Sequence, residues 1–343
     1  MAKRAKKPAK RAGKKAGGSR AKTKKGKPAR KARNFAELNG KFIGFVVAPN
    51  KTDWNKYADA FADKLARLGW SVNHDDDHLP RVDIIYQPTK GAAGDATKIR
   101  ECAQRFVDDE VDVIVTSGTE ATKACMSKTN RIPIVFAAAG DPVNSGLVGS
   151  IAQPGGNVTG CSNLQTNGTA LTKRATVMAQ KLNPGNKAVG VIGNDSVDVV
   201  HEAIGLTWEA IHAYDNTITL TPKDSGRFAV TDFANRAAIK AKLDALVATV
   251  APTQVKILYM CSDPLLTSKL DLINDVAKRD FTPPLKTMHE IKERHGGDQS
   301  LGPSFKTLFE KAAEKVNLIL RGDNPGDIEV YVPDPNRMEV DPA

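Results

Sequence analysis

From Lys41 onward the chain repeats one pattern: a short apolar run of strand length, a small polar loop, then a helix with one apolar face. KFIGFVVAP (41–49), VDIIYQP (82–88), VDVIVTSG (111–118) and IPIVFAAAG (132–140) are the first four runs. Asp53 can cap a helix to about Leu68, with Trp54, Tyr57, Ala58, Phe61, Leu65 and Leu68 at helical spacing. Asp95 to Asp109 reads as a second helix, and Thr119 is placed to cap a third. Strands that are apolar along their whole length are buried on both faces. A helix after each strand returns the chain to start a parallel neighbour.

After NVTGCSN (157–163) the pattern restarts. A helix is expected over about Thr169–Leu182, a strand over 187–194, a helix from Asp198 to Ala213 and a strand over 217–222. Val230 to Val250 reads as helix, VKILYMCSD (255–263) as strand, Leu265 to Lys278 as helix and PLKTMH (284–289) as strand. Pro303 to Arg321 is the last long helix, followed by extended IEVYVPDP (328–335). Two α/β series in tandem imply two lobes with parallel sheets. The 343 residues are enough to give each lobe its own core.

The net charge of +11 belongs to one end of the chain. Lys3 to Arg33 hold 16 of the 50 Lys and Arg and no acid, which leaves 34 basic against 39 acidic residues beyond them. Residues 1–36 have almost no apolar side chain to bury and are expected to be a disordered basic tail. The tail lacks the apolar core of a secretory signal, and no cysteine sits near its start to take a lipid. It reads either as a spacer or as an arm for nucleic acid or another anionic surface, carried by Lys6, Lys7, Arg11, Lys14, Lys15, Lys24 and Lys25 among others. With no aromatic before Phe35, such binding would be non-specific.

In open parallel sheets, ligands bind beyond the carboxyl ends of the strands, where helices begin. The loops there are Pro49-Asn50-Lys51, Thr116-Ser117-Gly118-Thr119, Gly140-Asp141-Pro142, Gly193-Asn194-Asp195-Ser196 and Ser262-Asp263-Pro264. In the second, Gly118 permits close backbone approach, and the amides that follow favour a carboxylate or another anion. Plain capping by Ser117 or Thr119 is the competing reading. Asp141-Pro142 and Asp263-Pro264 look like caps with proline in the first helical position. His74-Asp75-Asp76-Asp77-His78 is either a metal cluster or a solvated acidic loop, and no second ligand cluster accompanies it. His201, His212, His289 and His295 stand apart from any nucleophile. Cys102, Cys125, Cys161 and Cys261 lack metal-site spacing and are expected to be reduced. No dinucleotide, P-loop or zinc-protease motif occurs, so no enzyme, metal or cofactor is expected.

The stretch 111–166 closely resembles the substrate-binding proteins of ABC transporters, tryptophan and tyrosine types included, through IPIVF, GDPV, SGLV and QPGGNVTG in that order. SDPLLTSKLDLINDVAKR (262–279) and GPSFKTLFEKAAEKVNLILRGDNPGDIEV (302–330) are similar to later parts of the same family, so the resemblance covers about 41–335. It implies a type I periplasmic-binding fold: two Rossmann-like lobes, 40–158 with 303–330 and 161–288 with 331–343. Three crossovers, near Val158–Ser162, Met288–Gly302 and Val330–Pro335, would join them, with ligand enclosed between. It implies ligand contacts at Asn50, Ser117, Gly118, Thr119, Asp141, Ser162, Asn163, Asn194, Asp195 and Asp263. Ser117 and Thr119 would hold a carboxylate, and Asp195 or Asp263 an ammonium. Trp54 is either core or cleft lining.

A small-molecule ligand, an ABC permease as partner and a monomeric state are expected from this resemblance. The family normally carries an export signal where this chain has its basic tail, so periplasm and cytoplasm both stay open. An intracellular ligand sensor or a nucleic-acid-associated protein is the alternative. Deleting residues 2–33 is expected to abolish salt-sensitive DNA binding, measured by fluorescence anisotropy across a salt series. Equal retention by the truncated chain would refute the arm.

Overall fold

A computed structural model of the chain describes residues 40–46, 51–73, 79–87, 96–163, 172, 175–176, 188–195, 198–250, 257–261, 266, 269–289, 297, 299–300 and 302–334. The strand pairs recorded among these residues are all parallel. They form two sheets. The first contains β1 (Lys41–Val46), β2 (Ser71–Val72), β3 (Arg81–Gln87), β4 (Val113–Thr116), β5 (Ile134–Ala139) and β6 (Val158–Ser162), in spatial order β2-β3-β1-β4-β5-β6. The second contains β7 (Ala188–Asn194), β8 (Thr219–Leu220), β9 (Arg227–Phe228), β10 (Ile257–Met260), β11 (Lys286–His289) and β12 (Gln299–Ser300), in order β12-β11-β10-β7-β8, with β9 also on β7.

Each sheet turns its chain direction at its first strand: β1 has β3 on one side and β4 on the other, as β7 has β8 and β10. These are the switch points at which open parallel sheets leave a crevice beyond the strand ends. Helices cover both faces. Along β1, Ile43 and Phe45 face α1 (Lys51–Arg67) and the late helix α7 (Phe305–Leu320), whose Phe61 and Phe309 rings lie 5.2 and 6.0 Å from that of Phe45. Phe42 and Val46 face the other way, onto α2 (Ala96–Asp108) and α3 (Thr119–Met126) with Phe106, Ala121 and Cys125. In the second sheet Val189 and Val191 meet Val200, Ile204 and Ile211 of α4 (Asp198–Tyr214). On its other face Ile192 belongs to the cluster that holds Leu243 of α5 (Arg236–Ala248) and Ile273 of α6 (Leu270–Arg279). The sequence makes this possible where the central strands carry consecutive apolar residues, as in VIVT of β4, IVFAAA of β5 and ILYM of β10.

Several details differ from the sequence reading. The expected helix over 230–250 is split: a 3₁₀ turn spans Val230–Phe233, and α5 starts afresh where Asn235 accepts from the Ala238 amide. Asparagine is a better cap than helix-interior residue, which explains the break. The expected strand over 217–222 is reduced to β8, and a 3₁₀ turn, Lys223–Gly226, carries the chain back onto β7 as β9. Asp141-Pro142 does not start a helix; residues 142–146 form turns, closed by Ser145 N and Leu147 N onto the carbonyls of Asp141 and Pro142, both at 2.9 Å. The four cysteines are buried and free. Most of the helix expected at 169–182 and the His74–His78 cluster lie outside the described residues.

The segment 158–162 is itself an edge strand, and Tyr331 pairs with Cys161 beside it. Strand β6 lies so close to β5 that a Cβ on Gly160 would sit 2.2 Å from the Phe136 carbonyl oxygen. Gly160→Ala is therefore expected to lower stability by about 1–3 kcal/mol, read as a lower urea midpoint at unchanged slope.

Candidate functional site

Strand β4 is central in the first sheet and ends in the loop Ser117-Gly118 that starts α3. Gly118 is the residue before the helix, at φ 85° and ψ 160°, a region only glycine occupies without strain. No side chain caps the helix there. The capping role expected of Thr119 is thus corrected: its hydroxyl faces β5, accepting from Gly140 N at 3.2 Å. The reason is geometric, because Thr119 is already the first residue of the helix, one past the N-cap position whose side chain can accept from the amides two or three residues on. Thr122 fixes the loop from below, donating to the Gly118 carbonyl at 2.8 Å and lying 2.8 Å from the Thr116 hydroxyl.

Ser117 is 2% exposed, and its Oγ finds no hydrogen-bond partner. A buried hydroxyl left unpaired costs about 1–3 kcal/mol. Here it stands beside helix amides that no side chain caps, at the carboxyl-end edge of a parallel sheet. The buried Thr221 Oγ1 is likewise unpartnered. Thr221, however, donates its amide to Val189 near the start of β7, well back from the strand ends.

Asp141, at φ 34°, directs both carboxylate oxygens to Asn144: Oδ1 accepts from its amide at 3.2 Å and Oδ2 from its side chain at 2.7 Å. Ser162 and Asn163 are buried at the end of β6, with Ser162 N donating to Tyr331 O at 2.8 Å and Asn163 N to Ala139 O at 3.0 Å. This places Ser117, Gly118, Thr119, Asp141, Ser162 and Asn163 around the adjacent ends of β4, β5 and β6.

In the second sheet Asn194 is buried at the end of β7, and Asp195 follows it, exposed, with Oδ1 2.9 Å from His201 Nε2 on α4. His289 is buried at the end of β11, which β10 separates from β7. His212 stacks on Trp208. Asn50, Asp263, His295, the Trp54 side chain and the tail lysines and arginines lie outside the described residues. No cluster of three metal-ligating side chains occurs among the described residues.

Sequence reasoning missed Thr122 and Asn144. The spacing of Thr119 and Thr122 at the start of α3 carried a signal for the first, since residues three apart on a helix are neighbours. Nothing in the sequence announced that Asn144 would claim the Asp141 carboxylate.

Two parallel sheets with polar groups at their strand ends are the architecture of periplasmic-binding-type proteins. A conserved domain protein from Vibrio cholerae O1 biovar El Tor has this fold, at a TM-score of 0.69 and 21% identity over 88% of this chain and 90% of that one. So does an ABC domain in complex with L-Trp from Streptococcus pneumoniae, at 0.67 and 20% identity over 86% and 90%. The tyrosine-binding protein of Clostridioides difficile is 27% identical over 258 residues, 75% of this chain and 69% of that protein. The model of the ABC transporter substrate binding protein family matches residues 79–340. The chain belongs to that family, which is one of binding proteins rather than enzymes.

Ser117→Ala removes an unsatisfied hydroxyl and is expected to leave the ligand-free protein as stable or up to about 1 kcal/mol more stable. Thr119→Val unties the loop from Gly140 and is expected to cost about 1 kcal/mol. Urea midpoints of the two variants check both.

Proposed function

We propose that this protein captures an amino acid or a similar small carboxylate and delivers it to an ABC permease. The ligand sits between the strand ends of the two sheets. Ser117 Oγ and the first amides of α3 hold its carboxylate, and Gly118, Thr119, Ser162 and Asn163 shape that side. The observation that carries this reading is the buried, unpartnered Ser117 hydroxyl beside a helix start that no side chain caps. An anion there gains a hydroxyl donor and oriented amides in a poorly solvated place.

Asp141 acts in this reading as a support, since Asn144 occupies both its oxygens. That leaves the first lobe's described edge rich in donors, which suits an anionic group. On the second lobe Asn194, Asp195 and Asp263 would meet the other end of the ligand, with Asp195 or Asp263 taking an ammonium. The tyrosine-binding relative and the tryptophan-bound structural neighbour support an aromatic amino acid as the first ligand to try.

Melting temperature across a panel of amino acids and organic acids tests the proposal. L-tyrosine or L-tryptophan should raise it. Ser117→Ala should weaken that ligand about tenfold, the loss expected for one hydrogen bond to a charged group. A folded protein that shifts with no member of the panel would overturn the reading.

A further inference from the structure

The last extended segment, 328–331, is held at every residue, by the first crossover at Ile328 and Tyr331 and by neighbouring elements at Glu329 and Val330. Thr159 Oγ1 donates to Ile328 O at 2.6 Å. Val330 N donates to Ile151 O at 2.8 Å, Tyr331 N to Gly160 O at 2.9 Å, and Ser162 N to Tyr331 O at 2.8 Å. The Glu329 carbonyl is held from the helix beneath, by the ammonium of Lys315 on α7. Helix α7 packs against β5 and β6 as well as α1, so Lys315 fastens this segment to the body of the first sheet.

Lysine is an unexpected residue for this position. Lys315 is 9% exposed and sits on a helix face with Ala312, Val316 and Ile319. Burial, the largest influence on it, holds its pKa below the ordinary lysine value despite the pull of Cys161, Glu329 and Glu314. The Cys161 thiol is itself pushed up by burial, to about 12, and stays neutral. Glu314 is committed elsewhere, 2.8 Å from Lys311 and 2.7 Å from Lys64 of α1. Burial raises the Glu314 carboxyl, but the two lysines outweigh it and leave it below its ordinary value. Lys311 in turn lies 5.8 Å from the centre of the Tyr331 ring. An apolar side chain at 315 would pack at lower cost. What the lysine adds is a charge-assisted bond to one backbone carbonyl of the crossover.

The paired segments lead straight to the ligand edge. Beyond Ser162, Asn163 N donates to Ala139 O at 3.0 Å, and the next residue of β5's end, Gly140, is tied to Thr119 at 3.2 Å.

We infer that Lys315 is a positioning residue for ligand binding: by holding the Glu329 carbonyl it makes the first and third crossovers move as one two-stranded ribbon, and so sets ligand affinity without touching ligand. The inference rests on the two-lobed binding reading above. With the bond lost, the 328–331 segment must be ordered on each closure, and apparent affinity falls by the fraction of molecules that are ready to close.

The test uses the full chain with Lys315→Met, and Lys315→Gln should the first variant not fold. Amide hydrogen exchange of Tyr331 and Ser162 is compared with wild type, with Val191 in the second sheet as the internal reference. Binding of L-tyrosine and L-tryptophan is measured by calorimetry. Exchange at Tyr331 and Ser162 should accelerate at least about tenfold, with Val191 unchanged and global stability held or raised, and affinity should drop about threefold or more. Unchanged exchange at the two amides would overturn the inference, as would faster exchange with unaltered affinity. If wild type binds neither amino acid, that failure belongs to the ligand reading, and the exchange comparison alone decides whether Lys315 holds the crossover.

Discussion

A parallel strand pair cannot be closed by a tight turn; the chain has to leave the sheet, cross its face and come back. In the first sheet it does so through α1, α2 and α3, and in the second through α4, α5 and α6. The strands of each sheet therefore run out at the same edge, and helices begin there. At a helix start the amides have no partners within the helix, so that edge is a supply of oriented donors. The opposite edge receives helix ends and has no such property. The placement of a ligand site follows from this asymmetry before any particular side chain is considered.

What the side chains add is selective. Three polar groups near the strand ends of the first sheet are satisfied internally: Thr119 by Gly140, Thr122 by Gly118, Asp141 by Asn144. These bonds stiffen the loop without presenting charge. Ser117 differs from these three, being buried with its hydroxyl unpaired. A folded chain tolerates such a cost where a ligand repays it. The 328–331 segment shows the converse arrangement, in which a buried charge holds backbone: Lys315 bonds the Glu329 carbonyl.

Much of this was legible in the sequence, for physical reasons. Short apolar runs such as VIVT and IPIVFAAA, of strand length and separated by helix-length amphipathic segments, fit strands covered on two faces, so the parallel α/β class and the strand-end loops followed. The positions of Ser117 and Gly118 at those ends followed with them, whereas Ser162 came from the family resemblance. Local bonding was less legible. Thr119 reads as a cap because threonine often is one, and only the backbone at Gly118 shows that the helix has already begun there. Asp141-Pro142 has the composition of a helix start, but Asn144 captures the aspartate and a turn forms instead. The tie between Lys315 and Glu329 depends on α7 lying under a segment 14 residues further on, which no local pattern encodes. The same holds for β8 and β9, two short strands whose pairing is set by where β7 lies.

A crystal structure of the protein grown with L-tyrosine or L-tryptophan tests the central claim most directly. The account predicts a carboxylate oxygen within about 2.5–3.0 Å of Ser117 Oγ, at the start of α3. Ligand density elsewhere, with the Ser117 hydroxyl turned to an internal acceptor, would contradict it.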